Sequence, residues 1–138
     1  MKGILLVNLG SPESPTAKDV KPYLDEFLMD ERVIDAPKWL RAFLVKGIIL
    51  QTRPKKSAKA YAKIWWEEGS PLIVLSERFA NKVQQHTKMP VALGMRYGKM
   101  TIKNALQELK DKGVDEVLLV PLYPHYAMSS FETVVVKV

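Results

Sequence analysis

Polar residues follow three apolar runs of this sequence, at positions where the strands of a parallel sheet would end. The first group is Gly10-Ser11-Pro12, the second is Arg96-Tyr97, and the third contains His125. In doubly wound sheets, ligands bind beyond the carboxyl ends of the strands. These three groups are therefore the first residues to consider as a binding site.

Each group has a chemical and a purely structural interpretation. Gly10-Ser11-Pro12 stands where a phosphate loop would, but it lacks the spacing of the common glycine-rich loops, so a tight turn is favoured. Arg96 offers paired hydrogen bonds to a carboxylate and Tyr97 a ring face and a hydroxyl, although a surface ion pair beside a half-buried ring fits equally well. His125 could ligate a metal or move a proton. A lone histidine is more often structural, and no second ligand lies at metal spacing.

A fourth feature is the apolar segment 37–50, which is rich in bulky side chains. Arg53, Lys55 and Lys56 follow it directly, so the segment predicts an apolar wall with a basic rim. Such a surface suits a flat apolar anion or a membrane surface, and burial in a core is the alternative. The bulky residues are Trp39, Leu40, Phe43, Leu44, Ile48 and Ile49.

The elements that must hold these residues alternate between strand and helix patterns. Strands are predicted over residues 3–9, 90–97 and 116–122, because apolar runs of this length suit strands buried on both faces. The fold class is therefore α/β, a parallel sheet flanked by helices on both faces in the three-layer, flavodoxin-like or Rossmann-like arrangement. Helices are predicted from residue 14, over 37–50, 57–65, 72–86 and 101–113, and from 129, with a break at 51–54.

Composition narrows the function classes. The 138 residues predict one domain over 1–138, with 47% apolar and 26% charged residues, and the absence of cysteine excludes disulfides and thiolate metal sites. The net charge of +6 comes mainly from basic residues interleaved with acids on helices, so we expect no nucleic-acid partner. No apolar run reaches the roughly 20 residues of a membrane span, and no signal peptide is recognisable. A cytoplasmic protein is expected.

Four segments, in this order, resemble ferrochelatases, which insert Fe²⁺ into a porphyrin in haem biosynthesis. The resemblance covers essentially the whole chain. It implies a chelatase-like α/β domain, the first of two similar fused domains that enclose a porphyrin cleft, with the second, C-terminal domain absent from this chain. Protoporphyrin IX and coproporphyrin III are both compatible substrates. The segments are residues 5–12 (LLVNLGSP), 53–72 with Arg53-Pro54 and Gly69-Ser70-Pro71, 94–98 (GMRYG) and 121–130 (PLYPHYAMSS).

The resemblance also implies roles for individual residues. Leu9 would face the metal centre of the macrocycle, and Asn8, Gly10 and Ser11 would line the same loop. Trp39 and Phe43, within residues 37–50, would form the apolar lip of the porphyrin mouth, which in some members also contacts a membrane peripherally. Further substrate contacts, to propionates or along the pocket, are implied for Arg53, Ser70, Arg96, Tyr97 and Tyr123.

The sequence departs from the family's pattern in its catalytic residues. The family's main pair is a histidine in a Ser-Ala-His-Gly-like motif and a later acidic residue, and neither motif occurs here. No catalytic residue is expected in this chain, and His125 would be at most an auxiliary metal site. The resemblance implies Fe²⁺ as a substrate, no permanently bound cofactor, and the C-terminal half of the same enzyme as a partner. The chain ends within a helix pattern, as a truncated or split protein would, and is expected to be inactive alone.

Two other functions stay open at this point. A cobalt-inserting chelatase acting on a sirohydrochlorin-like tetrapyrrole would need a more basic and less apolar pocket than residues 39–49 suggest. A non-catalytic, flavodoxin-like binding module would bind no tetrapyrrole at all.

Overall fold

A sheet of three parallel strands forms the centre of the computed structural model, which describes residues 1–138. The strand order is β2-β1-β3, with β1 at Lys2–Asn8, β2 at Val91–Met95 and β3 at Glu116–Pro121. The apolar residues of β1 are buried on both faces of the sheet, as suits a middle strand. The three predicted strands and their parallel arrangement are confirmed.

Helices connect the strands, and two of them begin at threonine caps. Thr16 accepts a hydrogen bond from the amide of Asp19 at the start of α1, and Thr101 accepts one from the amide of Asn104 at the start of α5. None of the helices is both long and apolar enough to cross a bilayer. The helices are α1 (Ala17–Leu28), α2 (Lys38–Ala42), α3 (Leu50–Ile64), α4 (Pro71–Gln85), α5 (Ile102–Asp111) and α6 (Thr133–Val135), with π-helical turns at Phe43–Ile49, named here the π segment, and at Met128–Glu132.

The side chains of β1 alternate between two layers of helix. Leu5 and Val7 pack against α5 in one apolar cluster, whereas Ile4 and Leu6 lie in another that packs against α4. This alternation follows from the two-residue period of a strand. Helices therefore cover both faces of the sheet, and the predicted three-layer α/β fold is confirmed.

The predicted helix break at residues 51–54 is wrong. α2, the π segment and α3 follow one another without interruption, Pro54 is buried inside α3, and Ser57 lies within the helix rather than at its start. A proline removes the hydrogen bond to the residue four positions earlier, which here is Leu50, where π turns give way to α turns. Because the hydrogen-bond ladder already changes at that point, the proline does not end the helix.

β3 is less buried than predicted. Leu118, in the middle of this strand, is 59% exposed. β3 pairs with β1 alone and therefore forms an edge of the sheet. The prediction of a strand buried on both faces is wrong for residues 116–122, because no second strand and no helix of this chain covers the exposed side of Leu118.

A separate apolar cluster joins α1 to the long helix formed by α2, the π segment and α3. Its members come from α1, the π segment and α3. The cluster therefore fixes the long helix against α1, beside the carboxyl edge of the sheet. Its buried residues are Val20, Leu24, Val45, Leu50 and Ala58.

Candidate functional site

The exits of β1 and β2 lie side by side. The amide of Arg96 donates a 2.9 Å hydrogen bond to the carbonyl oxygen of Asn8, and the amide of Tyr97 donates one of 3.0 Å to the carbonyl oxygen of Leu9. The pairing of the two strands thus continues beyond their ends. It brings the predicted residues of the two exits into direct contact.

Gly10 forms the turn that follows β1. Its φ of 108° disfavours any residue with a side chain, and a Cβ atom at this position would collide with the carbonyl group of Tyr97. The hydroxyl of Tyr23 donates a hydrogen bond to the carbonyl oxygen of Gly10. The conformation of the turn is therefore constrained on one side by the backbone after β2 and on the other by α1.

A cavity of about 290 Å³ opens beside this turn and brings together three of the predicted substrate-binding residues, Ser11, Ser70 and Tyr97. Ser70 is buried at the start of α4, and its hydroxyl makes no capping hydrogen bond. The hydroxyl of Ser11 is buried without a partner. Buried hydroxyls are normally hydrogen-bonded, so these two groups are unusual in having no partner within the chain.

Charged groups around this cavity largely pair with one another. Lys99 Nζ lies 2.8 Å from a carboxylate oxygen of Glu13, and this hydrogen bond raises the pKa of Lys99. Arg78 lies 2.8 Å from Glu68, whereas Glu77 also lines the cavity and has no ion pair. The cavity therefore favours the neutral part of a ligand, and any ligand carboxylate is better placed elsewhere.

Arg96 is already bound by its own chain. Its Nη2 donates a 2.6 Å hydrogen bond to Oδ2 of Asp30, and its Nε donates one of 2.8 Å to the carbonyl oxygen of Thr133. Both side chains of the Arg96–Asp30 ion pair are largely buried. Nη1 is the one guanidinium nitrogen without a hydrogen-bond partner, so Arg96 keeps one donor group for a ligand.

Tyr97 is fully buried and belongs to the same network. Its ring makes an edge contact with Phe27, with 5.1 Å between ring centroids, and the guanidinium of Arg96 lies 4.5 Å from its centroid. Its hydroxyl donates a 2.9 Å hydrogen bond to Oδ2 of Asp30. Burial raises the pKa of Tyr97, and this hydrogen bond raises it further by a smaller amount. The phenol therefore stays protonated near neutral pH and acts as a donor.

Tyr123 follows β3 and packs, partly buried, against the apolar cluster on the α5 side of the sheet. Its hydroxyl is buried without a hydrogen-bond partner. Burial raises the pKa of Tyr123 to about 12, although the charge of Arg96 opposes the shift. Its role in substrate binding stays a prediction, and its hydroxyl, like that of Ser11, is buried without a partner.

Asn8 ties the exit of β1 to α4. Its Nδ2 donates a 3.1 Å hydrogen bond to Oγ of Ser76, and its Oδ1 accepts one of 2.8 Å from the amide of Leu9. Asn8 also lines an open depression of about 360 Å³ together with apolar residues that include Leu72 and Phe79. The position of Leu9 thus depends on the exit of β2, where the Tyr97 amide bonds its carbonyl oxygen, and through Asn8 on α4.

The predicted lip lies on a different surface from this cavity. Trp39, Phe43 and Ile48 are 72%, 61% and 53% exposed, so they are not core residues. In π turns each residue bonds to the one five positions away, which keeps Phe43 and Ile48 on one side of the helix. Arg53 is also exposed, and its Nε donates a 3.3 Å hydrogen bond to Oγ of Ser57. The apolar wall with a basic rim is thus present, and its ligand stays a prediction.

His125 lies on an exposed turn after β3 and makes no hydrogen bond to the rest of the chain. No three His, Asp or Glu side chains of the chain are grouped closely enough to hold a metal ion. The role of His125 as an auxiliary metal site stays a prediction.

Two residues of the site escaped the sequence analysis. Asp30 follows α1 at a position with no periodic or motif signal, so only its spatial neighbours reveal it. Tyr23 lies on the buried face of α1, and its spacing in the sequence gives no sign that its hydroxyl reaches Gly10. A buried tyrosine usually finds a partner for its hydroxyl, and that rule is the one signal that could have pointed to such a bond.

Comparison with known proteins identifies the family. The family model described as Ferrochelatase matches residues 1–138. A ferrochelatase of Azotobacter vinelandii is 56% identical over 133 residues, covering 96% of this chain and 39% of the relative. A ferrochelatase of Opitutus terrae is 52% identical over 140 residues, covering 99% of this chain and 41% of the relative.

A third ferrochelatase, from Vibrio parahaemolyticus, is 49% identical over 126 residues, covering 91% of this chain and 39% of the relative. The chain thus spans about two fifths of the length of the curated relatives it matches. The family match extends over every segment on which the resemblance was based, from the turn after β1 to the residues that follow β3. The chain belongs to the ferrochelatase family.

Proposed function

We propose that the protein containing this chain inserts Fe²⁺ into a porphyrin as a step of haem biosynthesis, and that this chain forms one wall of the porphyrin cleft. The observation that carries the proposal is the convergence of the exits of β1 and β2 with Ser70 around one cavity that contains two unpartnered hydroxyls. Membership of the ferrochelatase family supplies the reaction class.

The turn after β1 is the part of the chain that would face the macrocycle. A porphyrin is a flat apolar ring, so an apolar side chain such as Leu9 can lie against its face without displacing hydrogen-bonded water. Ser11 and Ser70 would bind polar atoms at the edge of the ring, and Asn8 and Gly10 hold the turn in place. This arrangement favours a planar apolar ligand over a phosphate, because the turn presents no glycine-rich nest.

The propionates of the porphyrin would be bound by basic side chains outside the cavity. Arg53 is exposed at the start of the basic rim, beside Lys55 and Lys56, and has a free fork of donors apart from one bond to Ser57. Arg96 would contribute only through Nη1, since its other two nitrogens are engaged. Tyr97 and Tyr123 would complete the inner wall.

The chemical step divides between this chain and the rest of the protein. Insertion of one Fe²⁺ releases two pyrrole N–H protons, and a base must accept them. We assign that base and the acidic residue beside it to the C-terminal half, as the family resemblance implies, and treat Fe²⁺ as a substrate rather than a resident cofactor. This chain would orient the ring and hold one face of it, with His125 as an auxiliary metal ligand.

The lip would also bring the protein to a membrane surface. Trp39, Phe43 and Ile48 present apolar area on one side of the helix, and lysines and arginines flank them. Such a surface binds the interfacial region of an anionic bilayer without crossing it. We propose a cytoplasmic protein that contacts the membrane peripherally through residues 37–50.

An iron-insertion assay on two proteins tests this function. The complete gene product and the 138-residue chain are each given Fe²⁺ and either protoporphyrin IX or coproporphyrin III under anaerobic conditions, and metallation is followed by the Soret band. We expect turnover by the complete product with one of these porphyrins and none by the 138-residue chain.

The same assay with Co²⁺ and sirohydrochlorin separates iron insertion from the cobalt-inserting alternative. Metallation of sirohydrochlorin in place of the porphyrins would overturn the substrate class. Absence of tetrapyrrole binding by the complete product would overturn the function, and turnover by the 138-residue chain would overturn the division of labour. Ser70→Ala should weaken porphyrin binding, while Glu108→Gln, which breaks an exposed ion pair with Lys112 on α5, should leave it unchanged.

A further inference from the structure

Asp30 is the meeting point of three parts of the chain. Its Oδ2 accepts hydrogen bonds from Nη2 of Arg96 over 2.6 Å and from the hydroxyl of Tyr97 over 2.9 Å. Its Oδ1 accepts a 2.9 Å hydrogen bond from the amide of Arg32. The side chain is 7% exposed, so this carboxylate is largely shielded from solvent and takes its hydrogen bonds from its own chain.

The network continues from Arg96 to the end of the chain. Nε of Arg96 donates to the carbonyl oxygen of Thr133 in α6, and the guanidinium stacks on the ring of Tyr97. With two nitrogens engaged and one face covered, the orientation of the guanidinium is set by its contacts. The direction in which Nη1 points therefore depends on the bond to Asp30 together with the contacts to Thr133 and Tyr97.

The network also reaches the turn after β1. Tyr97 shares Oδ2 of Asp30 through its hydroxyl, and its backbone amide donates to the carbonyl oxygen of Leu9. Its carbonyl group lies so close to Gly10 that no side chain fits between them. A displacement of Tyr97 would therefore displace the turn formed by Leu9, Gly10 and Ser11.

Loss of the negative charge would disturb both partners at once. An amide at position 30 has the same shape, but it accepts through one oxygen and presents N–H groups in place of the other. Arg96 and Tyr97 share Oδ2, whereas the amide of Arg32 binds Oδ1. The NH₂ group of an amide would therefore face donors in either orientation, Arg96 and Tyr97 together or the amide of Arg32. Leaving a buried donor unpaired is costly, so these side chains would move to find other partners.

We propose that Asp30 is a positioning residue of the tetrapyrrole site. It holds Arg96 and Tyr97 in the arrangement that places Nη1 and the turn after β1 against the ligand, while making no contact with the ligand itself. The proposal deepens the function argued above and rests on it. In this proposal, a buried carboxylate determines the geometry of the binding surface that the neighbouring strand exits form.

The test compares Asp30→Asn with wild type in the complete gene product. Binding of the porphyrin that the complete product metallates, protoporphyrin IX or coproporphyrin III, is measured by titration of the Soret band, and iron insertion by its steady-state rates. We expect the dissociation constant and KM to rise about tenfold while kcat changes by less than about twofold, the pattern of lost uniform binding. Glu108→Gln, an exposed ion-pair variant, serves as the matched control and should leave both constants unchanged.

A purely structural role gives a different result. Destabilised Asp30→Asn protein would contain a smaller folded fraction, which lowers the number of sites and the apparent kcat but leaves the dissociation constant and KM of the folded molecules at the wild-type value. That outcome would overturn the proposal. Tyr97→Phe removes one donor and keeps the ring, so it provides a second measurement if Asp30→Asn does not fold.

For Tyr97→Phe we expect a rise in the dissociation constant of about threefold, in the same direction as for Asp30→Asn but smaller, since it removes one of the two hydrogen bonds to Oδ2 of Asp30. An unchanged constant would contradict the proposal. If wild type itself binds neither protoporphyrin IX nor coproporphyrin III, both the proposed function and the role of Asp30 fail. If wild type binds and both variants bind equally well, the role of Asp30 alone fails.

Discussion

The hydroxyl of Tyr23 donates a 3.2 Å hydrogen bond to the carbonyl oxygen of Gly10. A helix on one side of the site is thereby attached to the turn that follows the central strand. Both groups are buried, so neither can exchange this bond for one with water. The bond therefore contributes to the shape of the turn as well as to stability.

Tyr23→Phe should destabilise the chain by about 1–2 kcal/mol, because it leaves a buried carbonyl oxygen without its donor. Urea unfolding followed by circular dichroism measures this loss. Tyr126→Phe is the control, since Tyr126 is exposed and bonds only to the side chain of Glu132. Equal stabilities for the two variants would show that the Tyr23 bond contributes nothing.

Gly10→Ala should cost more than the strain of its backbone conformation alone. A residue with a side chain at this φ is strained by about 1–2 kcal/mol, and the added Cβ would also collide with the backbone of Tyr97. We therefore expect a loss of more than about 3 kcal/mol in the free energy of unfolding. Denaturant unfolding provides the measurement.

Gly69→Ala separates strain from collision. Gly69 has a φ of 122°, but a Cβ there would meet no atom within 4 Å. The expected loss is the strain alone, about 1–2 kcal/mol. If the two alanine variants lose the same stability, the close approach of Gly10 and Tyr97 is not a constraint on the turn.

The stability of the chain should fall as the pH rises above 10. Burial raises the pKa of Tyr123 from 10.0 to about 12, so the folded state holds the phenol proton where the unfolded state has lost it. Unfolding then releases a proton, and the free energy of unfolding decreases with rising pH between 10 and about 12. Below pH 10 this group adds no pH dependence.

Tyr123→Phe is the variant that checks this assignment. It removes a buried hydroxyl that has no partner, so stability at pH 8 should be unchanged or slightly higher. Between pH 10 and 12 its stability should decline less steeply than that of wild type in urea titrations. Parallel declines would assign the alkaline loss to other groups, such as Tyr97, whose pKa burial also raises.

Phe43→Ser should weaken binding to vesicles that contain anionic lipid. An apolar side chain that enters the interface contributes about 1–2 kcal/mol, which corresponds to a loss of about tenfold in affinity. Co-sedimentation with vesicles measures it. Leu118→Ser is matched in exposure, at 59% against 61% for Phe43, but lies on β3 away from the lip. Equal binding by both variants would exclude the lip as the membrane contact.

Much of the fold is predictable from local pattern. The run from Gly3 to Val7 is apolar at every position, and the cap at Thr101 with Gly113 after the helix brackets α5. These features depend on a few adjacent residues, so the sequence carries them directly. The prediction of a helix break at Pro54 failed because the π turns that accommodate this proline have no signature in the adjacent residues.

The residues of the site also differ in whether local sequence patterns predict their positions. Residues after strands are predicted to meet because parallel strands end at one edge, which is why Ser11 and Tyr97 are found at one cavity. Asp30 is different, since 66 residues separate it from Arg96 and only the packing of α1 against the strand exits brings them together. The bond that defines the orientation of Arg96 is therefore visible in three dimensions alone.

The connections of Arg96 also constrain the order in which the molecule folds. They join it to a residue 66 positions earlier and to another 37 positions later. Contacts between such distant positions close large loops and form slowly compared with local helices. We therefore expect the contacts of Arg96 to form after the local helices, so that the binding edge takes its final shape only once these loops have closed.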